Sequence, residues 1–207
     1  MAITTYAELK AGLADWLLRD DLTAVIPTFI SLAEAQMNRG LSHWRQETRS
    51  EAEIDARYSD LPADWLSPIR LSVSTTNGPA ELEPMSYSTM LDERTRSADV
   101  VGVPKYYSIS AGSLELYPTP SGTFDVTMLY RGTVPALTDS ATTNWLLTYA
   151  PDAYLYGSLL QAAPYLSDDA RIGVWGSLYE NAITGLNADS DKAKHGGSGQ
   201  RMKIRSY

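Results

Sequence analysis

No part of the chain constrains the fold as tightly as the stretch from Asn144 to Leu186. It reads as two long helices with a tight break between them. Pro151 suits a first helical position, where its missing N–H costs nothing, and Asp152 suits the positive end of the helix dipole. Apolar residues then recur at Leu155, Leu159, Ala162, Ala163 and Leu166, a helical spacing. Ser167-Asp168-Asp169 predicts a cap and an acidic first turn for the second helix. Its apolar face is expected at Trp175, Leu178, Ala182 and Leu186, with Ile172 and Ile183 flanking, and Gly185 and Asn187 are read as its stop. A helix pair this rich in Trp, Tyr and Leu is a scaffold on which the preceding chain must pack, and the residues beyond it form a polar tail.

The preceding chain begins with two more helices. Thr4 or Thr5 caps the first, over about Tyr6 to Leu18, with Leu9, Leu13, Trp16 and Leu17 on one face. The second spans about Val25 to Leu41, carries Ile26, Phe29, Ile30, Ala33 and Met37 at helical spacing, and has Pro27 near its start. A short connection predicts that the two pack antiparallel.

The period then changes. Glu51 to Arg57 alternates as a strand with one wet face. Asp60 to Leu66 reads as a turn or short helical segment, and Ile69, Leu71 and Val73 alternate again. Asn77-Gly78 predicts a hairpin with a type I′ turn. A short helix, Met85 to Arg96, is capped by Ser86 or Ser88. Three strands come next, Tyr106–Ser110, Leu114–Tyr117 and Phe124–Tyr130, with Phe124, Val126, Met128 and Tyr130 on one face of the last.

The expected fold class is therefore α+β. Residues 1–44 form an N-terminal helical hairpin, 45–135 an inserted antiparallel β-rich lobe, 136–187 a C-terminal helix pair completing the bundle, and 188–207 an extended C-terminal tail. Lys194 to Gln200 has the composition of a flexible linker.

Composition narrows the function. The chain has 207 residues, is 43% hydrophobic and holds no cysteine, which excludes a disulfide scaffold, a thiolate metal site and a cysteine nucleophile. Met1 to Tyr6 has no basic or apolar region of a signal peptide, and no apolar run approaches the roughly 20 residues of a membrane span, so no membrane contact is expected. The formal net charge is −8, and beyond Asp191 stand five cations and no acid, which leaves −13 on residues 1–191. Such a body does not favour sequence-independent DNA binding, which runs on phosphate neutralisation.

The residues that carry chemistry form no reactive constellation in the sequence. The two histidines, His43 and His195, are far apart and anchor no metal motif, and His43 is read as a polar residue at the end of the second helix beside Trp44. Asp20-Asp21 and Asp168-Asp169 are neighbours on the chain where helices begin or end, so neither pair forms a two-carboxylate site by itself, and capping and dipole complementation explain Asp168-Asp169 better. There is no phosphate loop and no nucleophile elbow. Neither a catalytic residue, nor a metal, nor a cofactor is expected. Five Trp and thirteen Tyr against two Phe leave three readings open: a core with a wet rim, extensive subunit contacts, or an aromatic sugar-binding face.

Several stretches carry a family resemblance. They are Tyr58 to Leu66 with Pro68-Ile69-Arg70-Leu71, Gly102 to Tyr107 followed by Leu114 to Pro120, Thr143 to Leu147, Pro151 to Gly157, Ala162 to Leu166, and Asp168 to Arg171. In order and together they resemble the adaptor, or connector, proteins that form the ring beneath the portal of tailed bacteriophages. The resemblance implies a non-enzymatic virion protein, made in the host cytoplasm and placed at the head–tail junction. It implies a homo-oligomeric, dodecameric ring bound to the portal, a next tail or neck protein on the far side, and a channel through which DNA passes without sequence-specific binding. An alternative reading is a glycan-binding or glycan-processing tail component built on the aromatic-rich β lobe. At the C-terminus, Arg201, Lys203 and Arg205 alternate with Met202, Ile204 and Ser206 before Tyr207. That pattern suits strand addition to a sheet edge or docking into an acidic-rimmed groove. The family resemblance places the groove on the portal, making Arg201, Met202, Lys203, Ile204, Arg205 and Tyr207 the expected portal contact.

Overall fold

The computed structural model describes residues 2–98, 100–166 and 170–195. The elements in chain order are α1 (Tyr6–Leu17), α2 (Ile26–Gly40), β1 (Glu47–Ile54), β2 (Tyr58–Asp60), β3 (Trp65–Thr75), β4 (Gly78–Glu81), β5 (Glu83–Pro84), α3 (Tyr87–Ser97), β6 (Val101–Gly102), β7 (Tyr106–Ser110), β8 (Ser113–Tyr117), β9 (Thr119–Pro120), β10 (Phe124–Gly132), α4 (Trp145–Tyr149), α5 (Pro151–Gln161) and α6 (Arg171–His195). The fold class is α+β, in two compact units. One takes residues 1–46 and 134–207, the other Glu47–Thr133.

In the helical unit local signals start the elements. Thr5 and Glu8 close a capping box on α1, Asn144 caps α4 through the Leu147 N–H, and Pro151 opens α5. Helix α5 is the axis of the unit, because α1, α2, α4 and α6 all pack on it. Ala153, Tyr154, Leu155, Gly157, Ser158 and Leu159 are all buried, and only the narrow stripe of Asp152, Tyr156 and Leu160 with the two ends keeps any exposure. At Gly157 the neighbours come so close that a Cβ would meet Met37 Cε at 2.9 Å and Tyr179 Cε2 at 3.0 Å.

Three expectations need correction here. The C-terminal region has three helices rather than two, since Ala150 leaves helical geometry between α4 and α5 (φ −139°, ψ 70°). The buried face of α6 runs through Trp175, Tyr179, Leu186 and Ser190, while Leu178 is exposed; spacing alone allowed either member of the Leu178–Tyr179 pair to turn inward. Helix α6 also runs through Gly185 and Asn187 to His195, so residues 188–195 are helical and not extended. Asn187 spends its polar side chain on another helix: it accepts from the Ser42 N–H at 2.8 Å and donates to the Gly40 carbonyl at 3.2 Å, finishing the C-terminus of α2. Ser167-Asp168-Asp169 lies outside the described residues.

The second unit holds two four-stranded sheets, ordered β1-β10-β3-β4 and β2-β8-β7-β5. Pairings are antiparallel apart from two short parallel ones, β5 with β7 and β6 with β9. Val126, Met128 and Tyr130 of β10 meet Leu71, Val73, Leu114 and Leu116 in one core. The strand predicted over Glu51–Arg57 begins earlier, at Glu47, and ends at Ile54. The motif after it supplies β2, a turn closed by the Trp65 N–H to Pro62 carbonyl bond at 3.0 Å, and the start of β3. Ile69 leaves the predicted alternation. The register shifts between Leu129 and Tyr130, Arg70 pairs with Leu129 and Pro68 with Tyr130, so Ile69 is the extra residue of a bulge and is exposed. The hairpin at Asn77-Gly78 forms, but positive φ falls on Gly78 alone (102°) and the strands close at Thr75 and Gly78. This is a turn with a glycine bulge rather than type I′.

Gly132 ends β10 under Asp64. An added Cβ would sit 2.7 Å from Asp64 Oδ2, and Asp64 cannot step aside freely because Oδ1 accepts the Tyr130 hydroxyl at 2.8 Å and its carbonyl accepts the Thr133 N–H at 2.8 Å. Burial and the Asp64 bond push the Tyr130 hydroxyl up to about 12. Gly132→Ala is expected to cost about 1–3 kcal/mol, the usual range for overpacking. A denaturant melt checks this, and a variant as stable as the parent would mean that Asp64 is free to move.

Candidate functional site

The residues predicted to touch a partner, Arg201, Met202, Lys203, Ile204, Arg205 and Tyr207, lie outside the described residues. Among the described residues no group of three or more His, Asp or Glu side chains could hold a metal ion, and no helix is long and apolar enough to cross a membrane. Asp21 is engaged with Arg19 in a surface ion pair.

The buried polar groups fall into clusters that bind chain to chain. In the helical unit Glu34 Oε1 accepts from the Leu137 N–H at 2.8 Å and the Tyr154 hydroxyl at 3.1 Å, and Asn144 donates to Tyr154 at 2.6 Å and to the Pro135 carbonyl at 2.6 Å. Burial raises the Glu34 carboxyl above its ordinary value, against the lowering effect of those two donors. The cluster joins α2, α5 and the segment leading into α4, and every bond closes within the chain. Its geometry is that of a fold-specifying network rather than a reactive carboxylate.

His43 is buried against Trp145, with ring centroids 5.2 Å apart, and lies near Trp44 and Tyr149. Its Nδ1 accepts the Arg45 N–H at 3.2 Å, which leaves the proton on Nε2, and Nε2 has no partner among the described residues. Burial first, and then the Arg45 charge, lower its pKa below the ordinary 6.5. The folded state therefore holds His43 neutral while the unfolded chain binds a proton below that value. Its contribution is present above 6.5 and is lost as pH falls toward the lowered folded pKa. Melts at pH 7.5 and 5.5 should show a larger loss on acidification for the parent than for His43→Phe. Equal losses would mean that His43 takes up no proton on unfolding. Glu34 acts in the opposite direction, since a raised carboxyl favours the folded state at low pH, so the comparison with the variant is what isolates the histidine.

What remains for function is surface. In the helical unit Trp44 and Tyr149 are exposed on either side of Arg45, whose guanidinium lies 4.8 Å and 5.1 Å from their ring centres. In the other unit Tyr58 and Tyr87 flank a shallow cleft with Ser110, Ala111 and Ser113, and Val100, Val101 and Val103 are exposed in sequence. The side of the sandwich between β1 and β2 is open. A cleft of about 230 Å³ there is lined by Ser50, Ala52, Ile54, Leu61, Leu114 and Met128 among others. Both bordering strands are sheet edges, so β1 has no hydrogen-bonded neighbour on that side among the described residues. Scattered apolar side chains on a surface are ordinary, but an open edge beside an apolar cleft offers unpaired backbone groups to which a further strand could add. Sequence reading missed it, because it singled out the aromatics and the basic C-terminus and had no means of knowing which strand would end a sheet.

No curated protein matches the chain. The family model described as SU10 adaptor protein matches residues 4–202, which takes in the helical unit apart from its first three and last five residues, the whole β unit and every motif that carries the resemblance to phage connectors. A match of that extent, over a chain whose buried polar groups bind its own elements together and whose open features are surfaces, decides the family: this protein belongs to the SU10 adaptor proteins, a bacteriophage head–tail adaptor family and so a structural component of the virion.

Proposed function

We propose that the protein is a non-enzymatic adaptor that joins the portal to the tail, forming a dodecameric ring that extends the DNA channel at the head–tail junction. The observation that carries this reading is the family match over residues 4–202. The exposed Trp44–Arg45–Tyr149 group and the open β1 edge support it, since both are exposed among the described residues and suit contact with another chain. The charge distribution supports it as well: a body carrying −13 gives DNA little to hold, so DNA passes, whereas a basic lumen would retain it. The same charge opposes closure of a ring from isolated subunits, so the ring assembles when the portal compensates it.

In this reading Arg201, Met202, Lys203, Ile204, Arg205 and Tyr207 make the portal contact, and a neck or tail protein docks on the opposite side of the ring. Native mass spectrometry of the isolated protein should show monomer or weak association at micromolar concentration, and a ring only with portal. A portal pull-down with residues 196–207 deleted should lose most of the bound protein, and the parent's capture should weaken as salt rises. A stable ring without portal would overturn the assembly order, and undiminished capture of the truncated chain would overturn the assignment of the contact. Tyr58 and Tyr87 give the glycan-binding alternative its one structural support, and saturable oligosaccharide binding lost in Tyr58→Ala would favour it.

A further inference from the structure

The open side of the β sandwich has a pattern of its own. Strand β1 is eight residues long and, among the described residues, has β10 as its one strand partner. Its residues alternate, with Ser50, Ala52 and Ile54 turned to the cleft and Arg49, Glu51 and Glu53 to the other face. The inward positions of Ser50 and Ala52 are small, which is why the cleft stays open down to Leu114, Val126 and Met128 of the core. On the outer face Glu53 pairs directly with Asp125 of β10, and Glu51 stands one pair away opposite Thr127. Like charges placed opposite each other in an antiparallel pair repel. Glu51, Glu53 and Asp125 have no cationic partner among the described residues. Charge is a common way of blunting a sheet edge, and here it also sets which strand is admitted: acidic strands are repelled and basic ones attracted.

The chain itself contains a segment with the required chemistry. In Arg201-Met202-Lys203-Ile204-Arg205-Ser206-Tyr207 every second residue from Arg201 to Arg205 is a cation, and Met202 and Ile204 lie between them. In a strand these two sets point to opposite faces. Laid along β1, one register sends Met202 and Ile204 over the cleft between the sheets and brings Arg201, Lys203 and Arg205 to the face of Glu51, Glu53 and Asp125. A slip by one residue would turn Met202 and Ile204 to the outer face and the three cations into a cleft whose lining is apolar apart from Ser50, Ser59 and Asp60.

We propose that, in the isolated protein, segment 201–207 of a second copy of this chain adds as a strand to the free edge of β1, with Met202 and Ile204 in the cleft. The contact is weak and reversible, and the portal competes for the same segment when it is present. This seat keeps a hydrophobic, edge-forming segment from pairing at random before assembly. It requires no portal, so its test uses the isolated protein, and its failure would leave the portal pull-down untouched.

The absence of cysteine makes the test clean. Full-length protein carrying Ala52→Cys is mixed under mild oxidation with a tagged full-length protein carrying one cysteine at position 202, 203, 204 or 205 in turn. The mixed disulfide is read by mass on a non-reducing gel. Strand addition predicts a period of two: trapping at 202 and 204 at least about fivefold above that at 203 and 205. Glu51→Lys with Glu53→Lys, placed in the Ala52→Cys protein, should reduce trapping to the level of the odd positions while thermal melts stay near the parent, because both side chains are exposed. Equal yields at all four positions would mean collision rather than a strand, and no mixed species would mean that the edge does not take this segment from a second copy. Either outcome overturns the proposal, as does trapping that survives the charge reversal.

Discussion

Trp175→Ala should destabilise the helical unit by about 3–5 kcal/mol, the range for removing a buried Trp from a packed core. Trp175 is 2% exposed on α6, in the same core as Leu155, Leu159 and Met37, and the Arg171 guanidinium lies 5.1 Å from its ring centre. Helix α6 is held to the unit by few large groups: Trp175, Tyr179 and Leu186 are its buried anchors over 25 residues. Removing the largest therefore leaves a cavity at one end of the contact with α5, and the loss should appear as a lower midpoint in the helical circular-dichroism signal. Leu178→Ala is the control. One position away from Tyr179 but exposed, it should change stability by no more than about 0.5 kcal/mol. Similar losses for the two substitutions would mean that the face of α6 is misplaced.

Arg94→Leu should cost the β unit about 3–5 kcal/mol, the consequence of breaking a buried ion pair from one side. The Arg94 side chain is 6% exposed and that of Glu115 is 1%. Arg94 Nε donates to Glu115 Oε1 at 3.1 Å, Nη2 to the Leu116 carbonyl at 2.6 Å and Nη1 to Thr119 Oγ1 at 2.9 Å. One guanidinium thus ties α3 to β8 and to the short pairing at β9. Without it Glu115 keeps only Arg57, which bonds the same oxygen at 2.8 Å from a more exposed position. Glu115 Oε2 already lacks a partner among the described residues, so the site has no reserve to stabilise a lone carboxylate. Removing both charges should cost far less: Arg94→Leu with Glu115→Leu is expected within about 1–2 kcal/mol of the parent, because the desolvation of the pair disappears with it. A double-mutant cycle in urea measures the coupling, and purely additive losses would show that the two side chains act independently.

The sequence by itself determined the elements whose signals are local. The cap of α1 at Thr5, one of the two threonines offered, Pro151 at the head of α5, the cap of α3 at Ser86, one of two serines offered, and the period-two face of β10 depend on residues within a few positions of one another, and each agrees with what the chain predicted. The ordered motifs from Tyr58 to Arg171 were legible in the same way, because a family pattern is a property of the string. The tertiary structure alone decided the rest. Arg94 lies in the predicted helix Met85 to Arg96 and Glu115 in the predicted strand Leu114–Tyr117, but no local pattern tells that the two meet, 21 residues apart, and are buried together. Asn187 read as a helix stop and instead closes α2 across a separation of 147 residues, so α6 continues past it. Tyr179 rather than Leu178 faces inward because of the surface that α5 presents, and Ile69 bulges out because β10 sets the register of β3. The open edge of β1 belongs to the same class: a strand's sequence carries its two faces, but which strand is left without a neighbour is settled only when the whole sheet is ordered. Caps, turns and periodicity are energies of adjacent residues; burial, register and edges are energies of residues that meet only after the chain has closed on itself.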